Sequence, residues 1–202
     1  MKMRYEVQEV SKPASNEFRH IKPQEGMTKR EADSYWQTRV EAREKQYTDD
    51  NGKAYREGDR LLPNNEYKVN DYTYKTDDKE RIVSAEGNVR ITDEIKTRNT
   101  TDTSKLADKR EGDNAGHLIA RIFGGSDRLE NLVPMDAKLN SGDYRKMENT
   151  LSNAAKNGAD VRLKVEPVYK GDSARPDRIR VTYTINGEKE IRVFRNESEA
   201  KA

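Results

Sequence analysis

Four residues in the stretch from Arg110 to Glu148 have types that could hydrolyse a phosphate ester: His117, Asn131, Asn140 and Glu148. His117 is one of two histidines in the chain and stands between Gly116 and an apolar Leu118-Ile119-Ala120 run. Imidazole changes charge near neutral pH, so it is suited to take a proton from an attacking water. Asn140 offers a neutral carboxamide oxygen to a hard cation. Mg²⁺ can be held through few protein ligands, because it keeps most of its waters and accepts phosphate oxygens. Glu148 follows eight positions later, which on one continuous helix is about 80° round the axis, so both side chains would project to one side. It would then hold a metal-bound water or orient a neighbouring group. Asn131, ahead of Leu132-Val133-Pro134, could pin its loop or hydrogen-bond the water shell of a metal. A base, a cation at the phosphoryl oxygens and help for the leaving oxygen are what phosphodiester hydrolysis requires.

Each residue also has a plainer explanation. His117 could be a hydrogen-bonded structural histidine, Asn140 a helix N-cap with Asp143 completing a capping box, and Glu148 an ordinary surface acid. The argument for chemistry rests on the four occurring together.

The elements that must position them follow from the pattern of residues. From Leu61 onward the chain reads as short strands: EYKV and YTYKT joined by Asn70-Asp71, then RIVSA, then a turn at Glu86-Gly87-Asn88 into VRIT. Tyr67, Tyr72 and Tyr74 are expected on one sheet face. Residues 93–108 are polar and aperiodic, a long loop that carries Arg98, and an arginine can clamp a phosphate through two parallel hydrogen bonds. A helix is expected over Ser141–Asn157, ended by Gly158. Three strands follow, VRLKVEPVY, DRIRVTYTI and EKEIRVF, the last two joined by Asn186-Gly187. Strands, then a helix, then strands make an α+β domain built on an antiparallel sheet. Arg162, Lys164, Arg178 and Arg180 alternate along two of these strands as the wet face of a sheet, or as a local positive surface.

The N-terminal part differs. Residues Met1–Met27 are polar and without period, a leader or linker. Thr28 then opens a helical stretch through Tyr47, with Glu31 completing a capping box, and its Trp36 is expected to pack rather than to stack on a base.

Composition narrows the function further. Charged residues make up 38% and hydrophobic ones 32%, and 39 Lys+Arg against 37 Asp+Glu leave a formal charge of +2. Any nucleic-acid surface must therefore come from local segregation of charge. With no cysteine, thiolate zinc sites and disulfides are excluded. Two histidines disfavour a His-rich zinc site and leave oxygen ligands for a hard cation. No apolar run has the length of a membrane span, and the first residues lack the apolar core of a Sec-type signal.

The motifs D-N-A-G-H, N-L-V-P and L-N-S-G-x-x-x-x-M-E, in this order, resemble the DNA/RNA non-specific endonuclease family with its ββα-metal (His-Me finger) active site. GHLIA, FGGS and NSGDYRKMEN are similar to its bacterial branch found as toxin domains. The resemblance covers about Arg56 to Arg195. It implies His117 as general base, Asn140 as direct Mg²⁺ ligand, Glu148 near the metal waters and Asn131 as support. Lys96–Asn99 is similar to a family stretch whose arginine contacts phosphate, which singles out Arg98. One departure stands out: the family's Asp-Arg-Gly-His has Ala115 in the arginine's place, so the clamp falls to Arg98, Arg121 or another cation.

The expected organisation is a polar, helical extension over residues 1–55 and an endonuclease domain over 56–202. The expected activity is Mg²⁺-dependent hydrolysis of DNA and RNA with little sequence preference, Mn²⁺ being an alternative ion. A nucleic-acid binding module with a degenerate site is the rival reading. Expected partners are the nucleic acid and an inhibitor (immunity) protein in the producing cell, with no membrane. The expected location is the producer's cytoplasm before export, then outside it or in a target cell.

Overall fold

The computed structural model describes residues 28–30, 45–92, 100–103 and 105–197. The chain divides into two compact units, Met1–Ala42 and Arg43–Ala202, and the site lies in the second. The leader and most of the helix expected from Thr28, Trp36 included, lie outside the described residues. The end expected for that helix does not. Gln46–Thr48 is a strand, β1, antiparallel to β2 (Ala54–Glu57). The turn between them is organised by Asp49, whose carboxylate accepts from the amides of Asn51 and Lys53 at 2.9 Å each, an Asx arrangement that competes with helix. The boundary drawn between residues 55 and 56 therefore cuts through β2.

In chain order there follow β3 (Arg60–Leu61), β4 (Glu66–Val69), β5 (Tyr72–Thr76), β6 (Ile82–Asn88) and a short helix α1 (Thr100–Thr103). Next come β7 (Asp113–His117), β8 (Leu132–Asp136), α2 (Ala137–Ser141) and α3 (Asp143–Lys156). The last three strands are β9 (Val161–Tyr169), β10 (Pro176–Ile185) and β11 (Glu188–Arg195). Six strands form one antiparallel sheet in the order β11-β10-β9-β6-β5-β4, beside a three-stranded sheet β1-β2-β3 and the two-stranded β7-β8.

The turn signals act where they were expected. Asn70 and Asp71 take φ of 53° and 68° between β4 and β5, and Asn186 and Gly187 take 51° and 88° between β10 and β11, the conformation that a two-residue hairpin turn demands. Glu86-Gly87-Asn88 behaves otherwise. β6 runs straight through it, because Gly87 makes room for a ring: a Cβ there would lie 2.6 Å from the Tyr72 ring. That glycine serves close packing, not a turn, and the separate VRIT strand does not form.

The helix expected over Ser141–Asn157 forms as α3, and Gly142 (φ −102°, ψ −107°) separates it from the short α2 ahead of it, which carries Asn140. Helix α2 is capped by Asp136, whose carboxylate accepts from the amides of Lys138 and Leu139. In α3, Tyr144, Met147 and Leu151 are buried, at the three-and-four spacing that puts them on one face. They sit in one core with Val161, Leu163 and Val165 of β9 and Ile179, Val181 and Tyr183 of β10. Each such side chain contributes about 1.5–3 kcal/mol on burial. Tyr55, Tyr67 and Tyr74 stack in series, with ring centroids 4.6 and 5.6 Å apart. Arg162, Arg178 and Arg180 are exposed, and with Lys164 they alternate with the buried positions of their strands, which places them on the face turned away from this core. No described helix is long and apolar enough to cross a membrane.

Candidate active site

His117 ends β7, and the chain is held on both sides of it. At the start of β7 the Asp113 carboxylate accepts two hydrogen bonds from Arg175, at 2.7 and 2.8 Å. Burial raises the Asp113 carboxyl, but the hydrogen bonds of Arg175 and of the Arg110 amide outweigh it and hold the group below its ordinary 3.8. Gly116 lies against β8 so closely that a Cβ would be 2.6 Å from the Met135 side chain, which accounts for glycine before the histidine. Immediately after it, Leu118 donates its amide to Asn131 O at 2.9 Å, and its carbonyl accepts from the Tyr144 hydroxyl at 2.9 Å. The histidine is thus fixed to the hairpin, the following loop and α3 together.

Asn131 is wholly buried. Its oxygen accepts from the Ile119 amide at 2.9 Å, and its Nδ2 donates to the carbonyls of Ile119 and Ser126 at 2.8 Å each. The carboxamide therefore staples the loop between β7 and β8 across its neck.

That loop delivers a residue which the sequence reading passed over. Asp127 Oδ1 lies 2.7 Å from His117 Nε2 and 2.9 Å from Arg121 Nε. All three side chains are mostly enclosed, with 20%, 14% and 22% of the His117, Asp127 and Arg121 side chains exposed. FGGSDR reads locally as a loop with a basic-acidic tip, and nothing in its spacing says that the acid turns back ten residues to the histidine. Ala115 stands two positions before His117 and so on the same face of β7. It brings a methyl there, while a guanidinium reaches the His117 partner Asp127 from Arg121.

The remaining candidates sit on the helix pair. Asn140 is in the last turn of α2, half-buried, and makes no side-chain hydrogen bond among the described residues. The N-cap role is taken by Asp136 for α2, and α3 has Gly142 at its N-cap position and so no side-chain cap. The plainer reading of Asn140 as a cap therefore does not hold. Glu148 is half-buried in the second turn of α3, so it and Asn140 belong to two helices, and the 80° relation of a single helix does not apply. Desolvation pushes the Glu148 carboxyl up to about 7, with Arg145 pulling the other way. Among the described residues it has no hydrogen-bond or ion-pair partner.

Arg98 lies outside the described residues. The helix α1 that follows is tied to the body by Asp102, which pairs with the buried Arg56 through two hydrogen bonds of 2.6 and 3.1 Å and accepts the Leu129 amide at 3.2 Å. Glu130, wholly buried beside this pair, is raised by desolvation above its ordinary value. These three residues also escaped the sequence reading, since their partners are far apart in the chain. Beside Asp127 opens a cleft of about 790 Å³ whose lining includes Arg90, Arg121 and Arg128 together with Asp71, Asp127 and Glu130. Arg90 pairs with Asp71 and Arg121 with Asp127, and guanidinium groups so placed can bind phosphate.

Residues 63–187, more than half of the chain, match the DNA/RNA non-specific endonuclease family. The chain belongs to that family. Solved structures share its fold. NucA from Streptococcus agalactiae with no metal bound superposes with a TM-score of 0.53 at 17% identity, over 66% of this chain and 72% of that one. The form with a magnesium ion bound gives 0.53 at 16%, over 70% and 74%. The common architecture is the ββα-metal nuclease fold, here β7, β8 and the helix pair. The type VII secretion system protein EssD of Staphylococcus aureus (strain USA300) is 34% identical over 132 residues, 62% of this chain. The chain spans about a fifth of that relative's length, 22%.

Proposed function

We propose that this chain is a divalent-cation-dependent endonuclease, using Mg²⁺ with Mn²⁺ able to replace it, that hydrolyses phosphodiesters of DNA, and of RNA, with little sequence preference. The observation that carries the reading is His117, held in a hydrogen-bonded frame beside Asp127 and Arg121 and next to an arginine-lined cleft. The donor set suits a hard cation: among the described residues Asn140 has an uncommitted carboxamide, and Glu148 is a desolvated carboxylate without a partner. Among the described residues no group of three or more His, Cys, Asp or Glu could hold a metal, which suits an ion that keeps most of its waters. When bound, such an ion supplies charge neutralisation at the phosphoryl oxygens.

The residues of the chain do the rest. His117 takes the proton of the attacking water, whose oxygen bonds to phosphorus as the bond to the leaving 3′-oxygen breaks. Arg121, with Arg90 and Arg128 along the cleft, draws the phosphodiester backbone in. A site built from backbone-reading cations has little means of distinguishing bases. Asn131 supports the site by stapling its loop, Glu148 orients water at the metal, and Arg98 assists phosphate binding. The catalytic part is the unit beginning near Arg43, and the residues before it form an extension.

The likeness to EssD, named as a type VII secretion system protein, supports a toxin or effector that leaves the producing cell after a stay in its cytoplasm. A producer of such an enzyme needs an inhibitor protein to spare its own genome. Digestion of plasmid and of RNA, by wild type and His117→Ala side by side with Mg²⁺, Mn²⁺ or a chelator, tests the activity. Metal-dependent cleavage by wild type alone is the expected result, and cleavage that survives His117→Ala would sink the assignment. Expression of the active chain with no loss of host viability would count against an inhibitor.

A further inference from the structure

We infer that Asp127 is a positioning residue for His117: it holds the imidazole with its proton on Nε2, which makes Nδ1 the atom that receives the proton of the attacking water. The inference rests on the nuclease reading for its consequence, though not for its geometry.

The geometry begins with how rigidly Asp127 is presented. The turn before it is docked on the chain that follows His117: Gly125 donates its amide to Ala120 O at 3.1 Å, and a Cβ at Gly125 would lie 2.0 Å from Ile119 O. Asn131 Nδ2 holds the Ser126 carbonyl at 2.8 Å. The Ser126 hydroxyl donates to the buried Glu130 at 2.5 Å and accepts the Arg128 amide at 3.2 Å. Asp127 is flanked on both sides by these ties, so its carboxylate does not sweep the solvent. It meets His117 Nε2 at 2.7 Å, within the range of a charge-assisted hydrogen bond.

A carboxylate can only accept, so the hydrogen in that contact belongs to Nε2. In neutral imidazole one ring nitrogen carries hydrogen and the other the lone pair, which places the base at Nδ1. In the reaction the O–H bond of water breaks and its proton goes to Nδ1. The water oxygen bonds to phosphorus, the bond to the 3′-oxygen breaks, and the departing oxygen takes a proton from solvent. Nε2 keeps its hydrogen throughout. The imidazolium so formed lies against the Asp127 carboxylate, the arrangement by which the acid of a hydrolytic triad steadies its histidine. Arg121, on the same Asp127 oxygen at 2.9 Å, fixes the carboxylate and offsets its charge, so that an incoming phosphate is not repelled.

The test is ¹⁵N long-range correlation spectroscopy of the imidazoles in the full chain, above the titration of both histidines, with His20→Gln to assign the two signals. The expected wild-type pattern for His117 is a protonated Nε2 and a bare Nδ1. Asp127→Ala mixes the tautomers, and the near-isosteric Asp127→Asn, which can turn an N–H toward the ring, admits the form protonated at Nδ1. In Mg²⁺-dependent plasmid cleavage both variants lose about 10- to 100-fold in kcat, as expected for a group that orients a functional histidine, with KM changed less than about threefold. Asp172→Asn, at an exposed site, keeps wild-type turnover, and thermal melts check that every variant folds. A wild-type His117 protonated at Nδ1, or an Asp127→Ala protein with unchanged tautomer and kcat, would overturn the inference. A wild type that cleaves nothing yet shows the Nε2–H tautomer, lost in Asp127→Ala, sinks the nuclease reading while supporting the role of Asp127 in holding the ring.

Discussion

The two halves of the candidate site are built in opposite ways. Around His117 the polar groups that hold it are paired: Asp113 with Arg175, Leu118 with Asn131 and Tyr144, Asn131 with Ile119 and Ser126, and Asp127 with the imidazole and Arg121. Across on the helix pair, Asn140 lacks a side-chain partner among the described residues and Glu148 is desolvated without one. A base must be aimed before the substrate arrives, and holding it costs only ordinary hydrogen bonds. A cation site gains from the reverse, because groups already satisfied by the protein would have to be released before they could serve the ion. The contrast separates what the protein organises alone from what it leaves for a charged partner to organise.

The sharpest way to break this comparison is His117→Ala. Removal of the base should lower cleavage by about 10³-fold, while the melting temperature stays within a few degrees, since the ring is a partly exposed end of the frame. A large loss of stability with activity to match would make the histidine structural after all. Asn131→Ala should do the reverse. It strands the Ile119 amide and the Ile119 and Ser126 carbonyls in the interior, and chemical denaturation should register a loss of about 3 kcal/mol.

Glu148 is expected to behave unlike either. Its folded carboxyl lies at about 7 against an ordinary 4.5. An acid raised on folding favours the native state while it is protonated, and that advantage is full below about 4.5 and lost as pH rises toward 7. Without metal, Glu148→Gln should therefore raise stability at pH 8 by on the order of 2 kcal/mol, discounted for partial exposure, and should be nearly neutral at pH 4. Added Mg²⁺ should narrow the gap by favouring the ionised form. Denaturation curves at the two pH values decide it, and a variant no more stable than wild type at pH 8 would show that Glu148 is already satisfied. The smallest effect is expected at the basic positions on the far face of the sheet. Arg162→Ala or Arg178→Ala should change plasmid cleavage by less than about twofold at physiological salt, where exposed charges are well screened. A larger loss would move part of the nucleic-acid surface there.

How far the sequence could be read depended on the distance between partners. Asn70-Asp71 and Asn186-Gly187 announced their hairpins because positive φ is a property of the residues themselves. Buried and exposed positions along β9 and β10 alternate as strand geometry requires. The motif around His117 carried the resemblance to the family, whereas the β7-β8 hairpin that holds it was not read from the sequence. Gly87 misled, because a glycine needed for close approach to Tyr72 looks the same as one needed for a turn. Gly142 misled in the other direction: the apolar spacing of Tyr144, Met147 and Leu151 was legible, yet the break ahead of it was not.

By itself the sequence determined what neighbours along the chain can settle: turn conformations, strand alternation, the helix face of α3, and the placing of His117 directly after a glycine. Only the tertiary structure decided which distant groups meet. Asp127 reaches back to His117, Arg175 reaches Asp113 and Arg56 reaches Asp102, while among the described residues Asn140 and Glu148 have no such partners. The reason is physical. Local conformation follows from steric and hydrogen-bonding rules that act over a few residues, whereas a through-space pair exists only once packing has brought two unrelated segments together and removed the water that would otherwise have served each of them.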